Sequence, residues 1–395
     1  MATTPMPVAN VTPDVTPQKS TLFEVSVSKQ ELLQELQLAQ GVTERKTTIP
    51  ILSNFLLKTD AGRLTVSATD LNHSIQSSCA AAVGVAGSIT VPGRKLFEYV
   101  RLLPDGNITL KSLPNGWVQI RSGRSNTKMV GMDAANYPKI AEFPASGAIS
   151  LPALVLKALL PRIAFAISGI ESRYTLQAAL MILKPDSFSL VATDGHRLAV
   201  IEKKGEPLSG VVAEQKHLLP QIAVSQLISL LSTVKEGTID FAANETNLFF
   251  RIQERVYIAR KIAGSFPNYE AVMPRDNSLI AIANVNDLAS SIQRVSQFAD
   301  ERSGGIRLAL GENEIKVSSA NSEAGESEDV IPAPYSGPPL VAGFNYSYII
   351  DFLKSIAGTE EVRLEFKDAS HALLMRPETS QDEYAFQYVV MPMRM

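Results

Sequence analysis

In the run Val191-Ala192-Thr193-Asp194-Gly195-His196-Arg197, an aspartate and a histidine stand two residues apart. An acid–base hydrolase would use such a pair, with Ser168 or Ser172 upstream as the nucleophile. The spacing argues against it. Residues i and i+2 share a face only on an unbroken strand, and Gly195 between them marks a turn. In a turn, the carboxylates of Asp194 and of Asp70, in Ser67-Ala68-Thr69-Asp70-Leu71, cap backbone N–H groups instead. The sequence carries no G-x-S-x-G elbow, Walker loop or G-x-G-x-x-G, and no acidic cluster for paired metals. Cys79 is the single cysteine, so neither an intrachain disulfide nor a Cys-based zinc site is available. His73, His196, His217 and His371 are scattered without metal-ligand spacing. These residues point to a protein that performs no chemistry and takes no cofactor or metal.

The composition fits a folded binding protein. Of 395 residues, 45% are hydrophobic and 19% charged, enough for several cores. A net charge of −3 excludes binding to nucleic acid by bulk charge, though not through a locally basic surface. No apolar run reaches the roughly 18 residues of a membrane helix, and a lone cysteine suits a reducing cytoplasm. Residues 1–21, with Pro5, Pro7, Pro13 and Pro17, lack a signal peptide's basic and apolar regions and read as a flexible tail.

From Phe23 onward one plan recurs three times: strand, helix, hairpin strands, a second helix, a second hairpin and a closing strand. In the first pass Phe23–Val27 alternates as a strand. Ser28 with Glu31 reads as a capping box, and Leu32, Leu33, Leu36 and Ala39 form a helix face ending at Gly41. Strands Leu52–Lys58 and Leu64–Ala68 flank the turn Asp60-Ala61-Gly62. A second helix uses Leu96, Phe97, Val100 and Leu103, and Thr127–Gly131 closes the pass. The second pass has helices at Ala153–Ala166, where Pro161 predicts a kink or early end, and at Val224–Leu231. The third has Val285–Ala299, Tyr346–Ile356 and a final strand Tyr384–Val390. Landmarks such as Asp70, Asp194 and Asn321 repeat every 125 residues or so, too long for a solenoid unit. The period is a whole domain, giving an α+β fold with two helices packed on antiparallel sheets at 22–142, 148–274 and 278–395.

Seven segments, in order, carry a resemblance to the bacterial DNA sliding clamps, the beta subunits of DNA polymerase III. They are IPILSNFLL at 49–57, TVPGRKLFEYVRLLPDG at 90–106, RSGRSN at 121–126, VATDGHRLAV at 191–200, FPNYEAVMP at 266–274, GFNYSYIIDFL at 343–353 and YVVMPMRM at 388–395. The resemblance covers nearly all of the chain after residue 22. It implies a head-to-tail homodimeric ring encircling double-stranded DNA without sequence preference. It also implies a cytoplasmic, non-catalytic processivity factor that tethers the replicative polymerase alpha subunit, the clamp loader and other proteins with a clamp-binding motif. A clamp-shaped scaffold specialised for other partners is the alternative.

The resemblance also assigns residues. A pocket for partner peptides with Leu and Phe anchors would be formed by Leu176, Thr193, Gly195, His196, Arg197, Leu198, Pro267, Val272, Val390, Met391, Pro392, Met393 and Arg394. DNA would meet Lys29, Arg45, Lys46, Arg94, Lys95, Arg101, Lys157, Arg173, Tyr174 and Arg294. The dimer seam would pair the strand of Thr127 and Met129 with one near 327–331. Phe298 would lie in its apolar part, with Glu326, Glu328 and Asp329 near Arg94 and Lys95 of the second copy. Departures from the family pattern are Met395 for the usual Leu, Ala271 where a basic residue can occur, and Gln221 and Ile222 where basic residues often follow the proline.

Overall fold

The computed structural model describes residues 23–43, 48–205, 208–323, 325–378 and 384–394. The expected tail, Arg45, Lys46 and Met395 lie outside the described residues. The chain divides into two compact units, Met1–Asp70 with Gln76–Lys139, and Leu71–Ile75 with Ile140–Met395.

The first unit is built from β1 (Glu24–Ser28), α1 (Lys29–Gln40), β2 (Asn54–Asp60), β3 (Arg63–Thr69), β4 (His73–Ala80), β5 (Ala82–Val85), β6 (Ser88–Pro92), α2 (Gly93–Leu102), β7 (Asn107–Ser112), β8 (Trp117–Ser122) and β9 (Ser125–Val130). One sheet runs β5-β1-β7-β8-β9 and another β4-β3-β2-β6. Helix α1 buries Leu32, Leu36, Leu38 and Ala39. Ser28 stands at its N-cap but makes no side-chain capping bond, so the expected capping box does not form. The first turn is held instead by the Lys29 N–H bond to Gly106 O at 2.9 Å. Gly41 ends the helix in a right-handed conformation (φ −65°), not the left-handed cap glycine usually supplies. The β2–β3 turn has positive φ at both Ala61 and Gly62, the backbone that matches strand twist in a two-residue hairpin.

The second unit runs through β10 (Ile149–Pro152), α3 (Ala153–Ala164), β11 (Ala178–Lys184), β12 (Ser187–Thr193), β13 (Arg197–Lys204), β14 (Gln215–Pro220), α4 (Gln221–Ser232), β15 (Thr238–Ala243), β16 (Asn247–Ile252) and β17 (Arg255–Arg260). It continues through β18 (Leu279–Asn284), α5 (Val285–Val295), β19 (Gly305–Gly311), β20 (Glu314–Asn321), β21 (Gly325–Pro332), β22 (Leu340–Asn345), α6 (Tyr346–Ser355), β23 (Glu361–Phe366), β24 (Leu373–Pro377) and β25 (Tyr384–Val390). Helix α3 continues past Pro161 to Ala164, so the expected early end does not occur; fully buried Ile163 anchors the last turn. Asn284 and Asn345 cap α5 and α6, accepting from Asn286 N and Ser347 N at 2.9 Å.

Three sheet segments organise this unit: β10-β15-β16-β17, β21-β20-β19-β22 and the eight-stranded β14-β11-β12-β13-β25-β24-β23-β18. The last fuses two repeats, because β13 pairs antiparallel with β25 from Arg197↔Val390 to Lys203↔Tyr384. One face of that sheet meets the helices, where Tyr388 stacks on Phe352 at 4.8 Å. On the sheet, Leu180, Ile182, Val191, Leu198, Leu374 and Val389 form a separate apolar cluster, covered by Phe266, Tyr269 and Met273 of the linker between repeats. Burial of this cluster shields that part of the sheet from water on both faces and favours one register.

Candidate partner-docking site

The linker that covers the apolar cluster leaves a cavity of about 240 Å³ at its edge. Its walls are Leu176, Thr193, Gly195, His196, Arg197, Leu198, Pro267, Asn268, Tyr269, Val272, Val389 and Met391. The polar side is the β12–β13 turn. Asp194 Oδ1 accepts from His196 N at 2.9 Å and Arg197 N at 3.1 Å, the turn-capping role expected of it. Thr193 Oγ1 accepts from Gly195 N and donates to Arg197 O at 2.6 Å. Gly195 holds φ +91°, and a Cβ there would stand 2.6 Å from Arg173 Nη1, so glycine both permits the turn and leaves the groove open.

Arg197 stands behind the turn as its anchor. Its guanidinium donates to Asp194 Oδ2 (3.0 Å), Asp351 Oδ2 (2.7 Å) and Phe165 O (2.6 Å), and lies 4.5 Å over the Tyr348 ring. Burial alone would lower its pKa; Tyr388, Asp351 and Asp194 outweigh that and raise it, so the charge is permanent. The His196 ring stacks near Tyr348 at 6.4 Å. The apolar side is the C-terminal segment. Met391 N donates to His196 O at 2.9 Å and Met393 N to Gly343 O at 2.8 Å, which pins the segment between the β12–β13 turn and β22. Met391 and Val272 both line the groove and are largely exposed, at 48% and 59%.

The structure brings Leu176, Thr193, Gly195, His196, Arg197, Leu198, Pro267, Val272 and Met391 of the expected pocket round one cavity. Val390 is not among them. It is fully buried, and its neighbour Val389 lines the groove, because successive strand residues point to opposite faces. Pro392, Met393 and Arg394 continue past the groove without lining it. Asn268 and Tyr269 were missed; the FPNYEAVMP segment that contains them was the available signal. Exposed Ala271 lies in the 3-10 turn Tyr269–Val272 beside them.

The hydrolase reading fails on the same geometry. The Asp194 carboxylate is committed to two backbone N–H groups and to Arg197, and the Ser168 hydroxyl is buried and accepts from Ile170 N. Among the described residues no group of three or more His, Cys, Asp or Glu is placed to hold a metal, and no helix is long and apolar enough to cross a membrane.

The residues expected at DNA differ in their commitments. Lys29 donates to Leu103 O and pairs with Asp105, Lys157 donates to Ser232 O and Val234 O, and Arg94 pairs with Glu98 at 2.8 Å. Arg294 pairs with Asp329 of its own chain, so these two expected contacts meet each other. Arg101 lies over Phe97 at 5.8 Å, Arg173 donates to Asp194 O, and Lys95 and Tyr174 are exposed. Helix α4, entered at exposed Gln221 and Ile222, carries no charged residue. Of the expected seam, Thr127 and Met129 are half-buried on β9, the edge strand of its sheet. Ser327, Glu326, Glu328 and Asp329 are on β21, also an edge strand, and Phe298 is half-buried in the turn after α5.

Repeated two-helix modules on antiparallel sheets, with a groove where two modules fuse, define a modular, clamp-like binding protein. Three family models match in series: the DNA polymerase III beta subunit N-terminal domain at 23–141, central domain at 150–268 and C-terminal domain at 270–394. The chain is 30% identical to the beta sliding clamp of Pseudomonas aeruginosa over 373 residues, covering 94% of this chain and 99% of that one. It is 32% identical to the Caulobacter vibrioides clamp over 379 residues, covering 94% and 100%. A crystal structure of the Bartonella birtlesii clamp bound to griselimycin matches with TM-score 0.88 at 32% identity, covering 95% of this chain and all of that one. The DNA polymerase III subunit beta of P. aeruginosa matches at 0.86 and 30%, covering 94% and 100%. The chain belongs to the DNA polymerase III beta subunit family, the bacterial sliding clamps, and is a non-catalytic processivity factor.

Proposed function

We propose that two copies of this chain close head to tail into a ring around duplex DNA in the cytoplasm. The groove on each copy then docks short Leu- and Phe-anchored peptides of the replicative polymerase alpha subunit, the clamp loader and other DNA-processing proteins. The observation that carries this reading is that β9 in the first unit and β21 in the second each stand at an end of their sheet. An open edge presents unpaired N–H and C=O groups and is a template for another strand. Two different edges on one chain give a heterologous contact, which closes only as a ring. Enclosure also explains the sparse charge. A shut ring needs only weak phosphate contacts, so committed cations such as Lys157 and an uncharged α4 are compatible with retention.

Docking follows from an apolar slot bordered by a few fixed polar groups, the usual form of a peptide or small-molecule site. A primed-template assay with polymerase and clamp loader tests the whole function: product length per binding event should rise sharply when the protein is added. Truncation before Met391 preserves β25 and removes one wall of the groove. It should weaken a Leu/Phe peptide by about tenfold or more while the sedimenting species stays unchanged. Unaltered peptide affinity in that truncation would contradict the placement of the docking site.

A further inference from the structure

We propose that Met391 is an oxidation site through which hydroperoxides weaken partner docking; the proposal rests on the docking role given to the groove. Met391 combines a reactive thioether with a place where added polarity matters. Its side chain is 48% exposed at the cavity wall, whereas Met181 and Met375 are fully buried. A hydroperoxide arriving from solvent therefore meets Met391 at the groove before it meets those core methionines. The reaction transfers one oxygen: the sulfide sulfur attacks the peroxide oxygen, the O–O bond breaks, and methionine sulfoxide and water (or an alcohol) are released.

The consequence follows from the surroundings. The Met391 backbone is held by His196 O, which keeps the modified residue at the groove wall. The sulfoxide oxygen is a strong acceptor. In the free protein water satisfies it through the open mouth of the groove. A bound apolar anchor would displace that water beside Leu176, Val272 and Val389, which offer no side-chain donor, leaving the exchange to the His196, Asn268 and Tyr269 side chains that share the groove wall. The nearby Thr193 hydroxyl and Arg197 guanidinium are already committed within the chain. Oxidation thus penalises the complex and not the free clamp, and a thiol-dependent methionine sulfoxide reductase would reverse it.

The full-length protein is titrated with a short synthetic Leu/Phe-anchored peptide before and after limited hydrogen peroxide treatment, with peptide mapping of each methionine. Met391 should gain one oxygen before Met181 and Met375, and affinity should fall about tenfold. Reductase treatment should restore it, and whatever affinity Met391→Leu shows before peroxide should be the same after it. Equal loss in Met391→Leu, or oxidised Met391 with unchanged affinity, would overturn the proposal. Failure of the untreated protein to bind the peptide at all would overturn the docking reading itself and, with it, the inference.

Discussion

Arg197 serves the fold and the groove together, because one planar cation satisfies two carboxylates and a carbonyl from different segments. Removing it leaves Asp351 and Asp194 without their partner in a partly buried site. Arg197→Ala should destabilise the second unit by about 3 kcal/mol. Calorimetry should record that as a melting transition roughly 5–10 °C lower; an unchanged transition would contradict the anchoring role. His217 gives a pH-dependent counterpart. Burial, with Lys261 nearby, pushes its pKa down to about 4, and the ring meets the edge of Phe241 at 5.0 Å. Its folded value lies below its unfolded value, so the folded state favours the neutral ring. The stability this gives is complete above pH 6.5, the ordinary histidine value, and is lost as pH falls toward 4. A melting-temperature series should therefore show a decline across that window that is shallower in His217→Gln.

At the scale of elements, much of the architecture was legible. Strand β25 coincides with its expected limits, because an apolar run after clear turn residues leaves little choice. Strand β13 was missed as an element. Leu198 and Ala199 are both buried, which breaks the alternation, and its Glu-Lys-Lys end reads as loop. The groove was legible as a set of segments, since the TDGHR turn and the methionine-rich terminus stand out. The choice between Val389 and Val390 was not, because it depends on the β13–β25 register, a long-range fact. The capping box failed for a similar reason: a tertiary hydrogen bond to Gly106 holds the start of α1. The edge strands yield the prediction at this scale. Met129→Asp places a charge on β9 and should convert the sedimenting dimer to monomer at micromolar concentration, with far-ultraviolet circular dichroism preserved. A persistent dimer would remove β9 from the seam.

For the whole molecule, the chain combines a net charge of −3 with a function on a polyanion. Affinity alone would make such a protein a poor DNA binder, since non-specific binding is largely counterion release. Topology separates retention from affinity. Sedimentation should first show a species near twice 42.8 kDa, the precondition for a ring. The most direct test is then retention on DNA after loading by the clamp loader and a wash at high salt. The ring predicts that the protein stays on closed circular duplex through salt that strips ordinary binders, and leaves by sliding off once a restriction enzyme linearises the circle. Equal retention on circular and linear DNA, or loss from both at the same salt, would contradict enclosure and the account built on it.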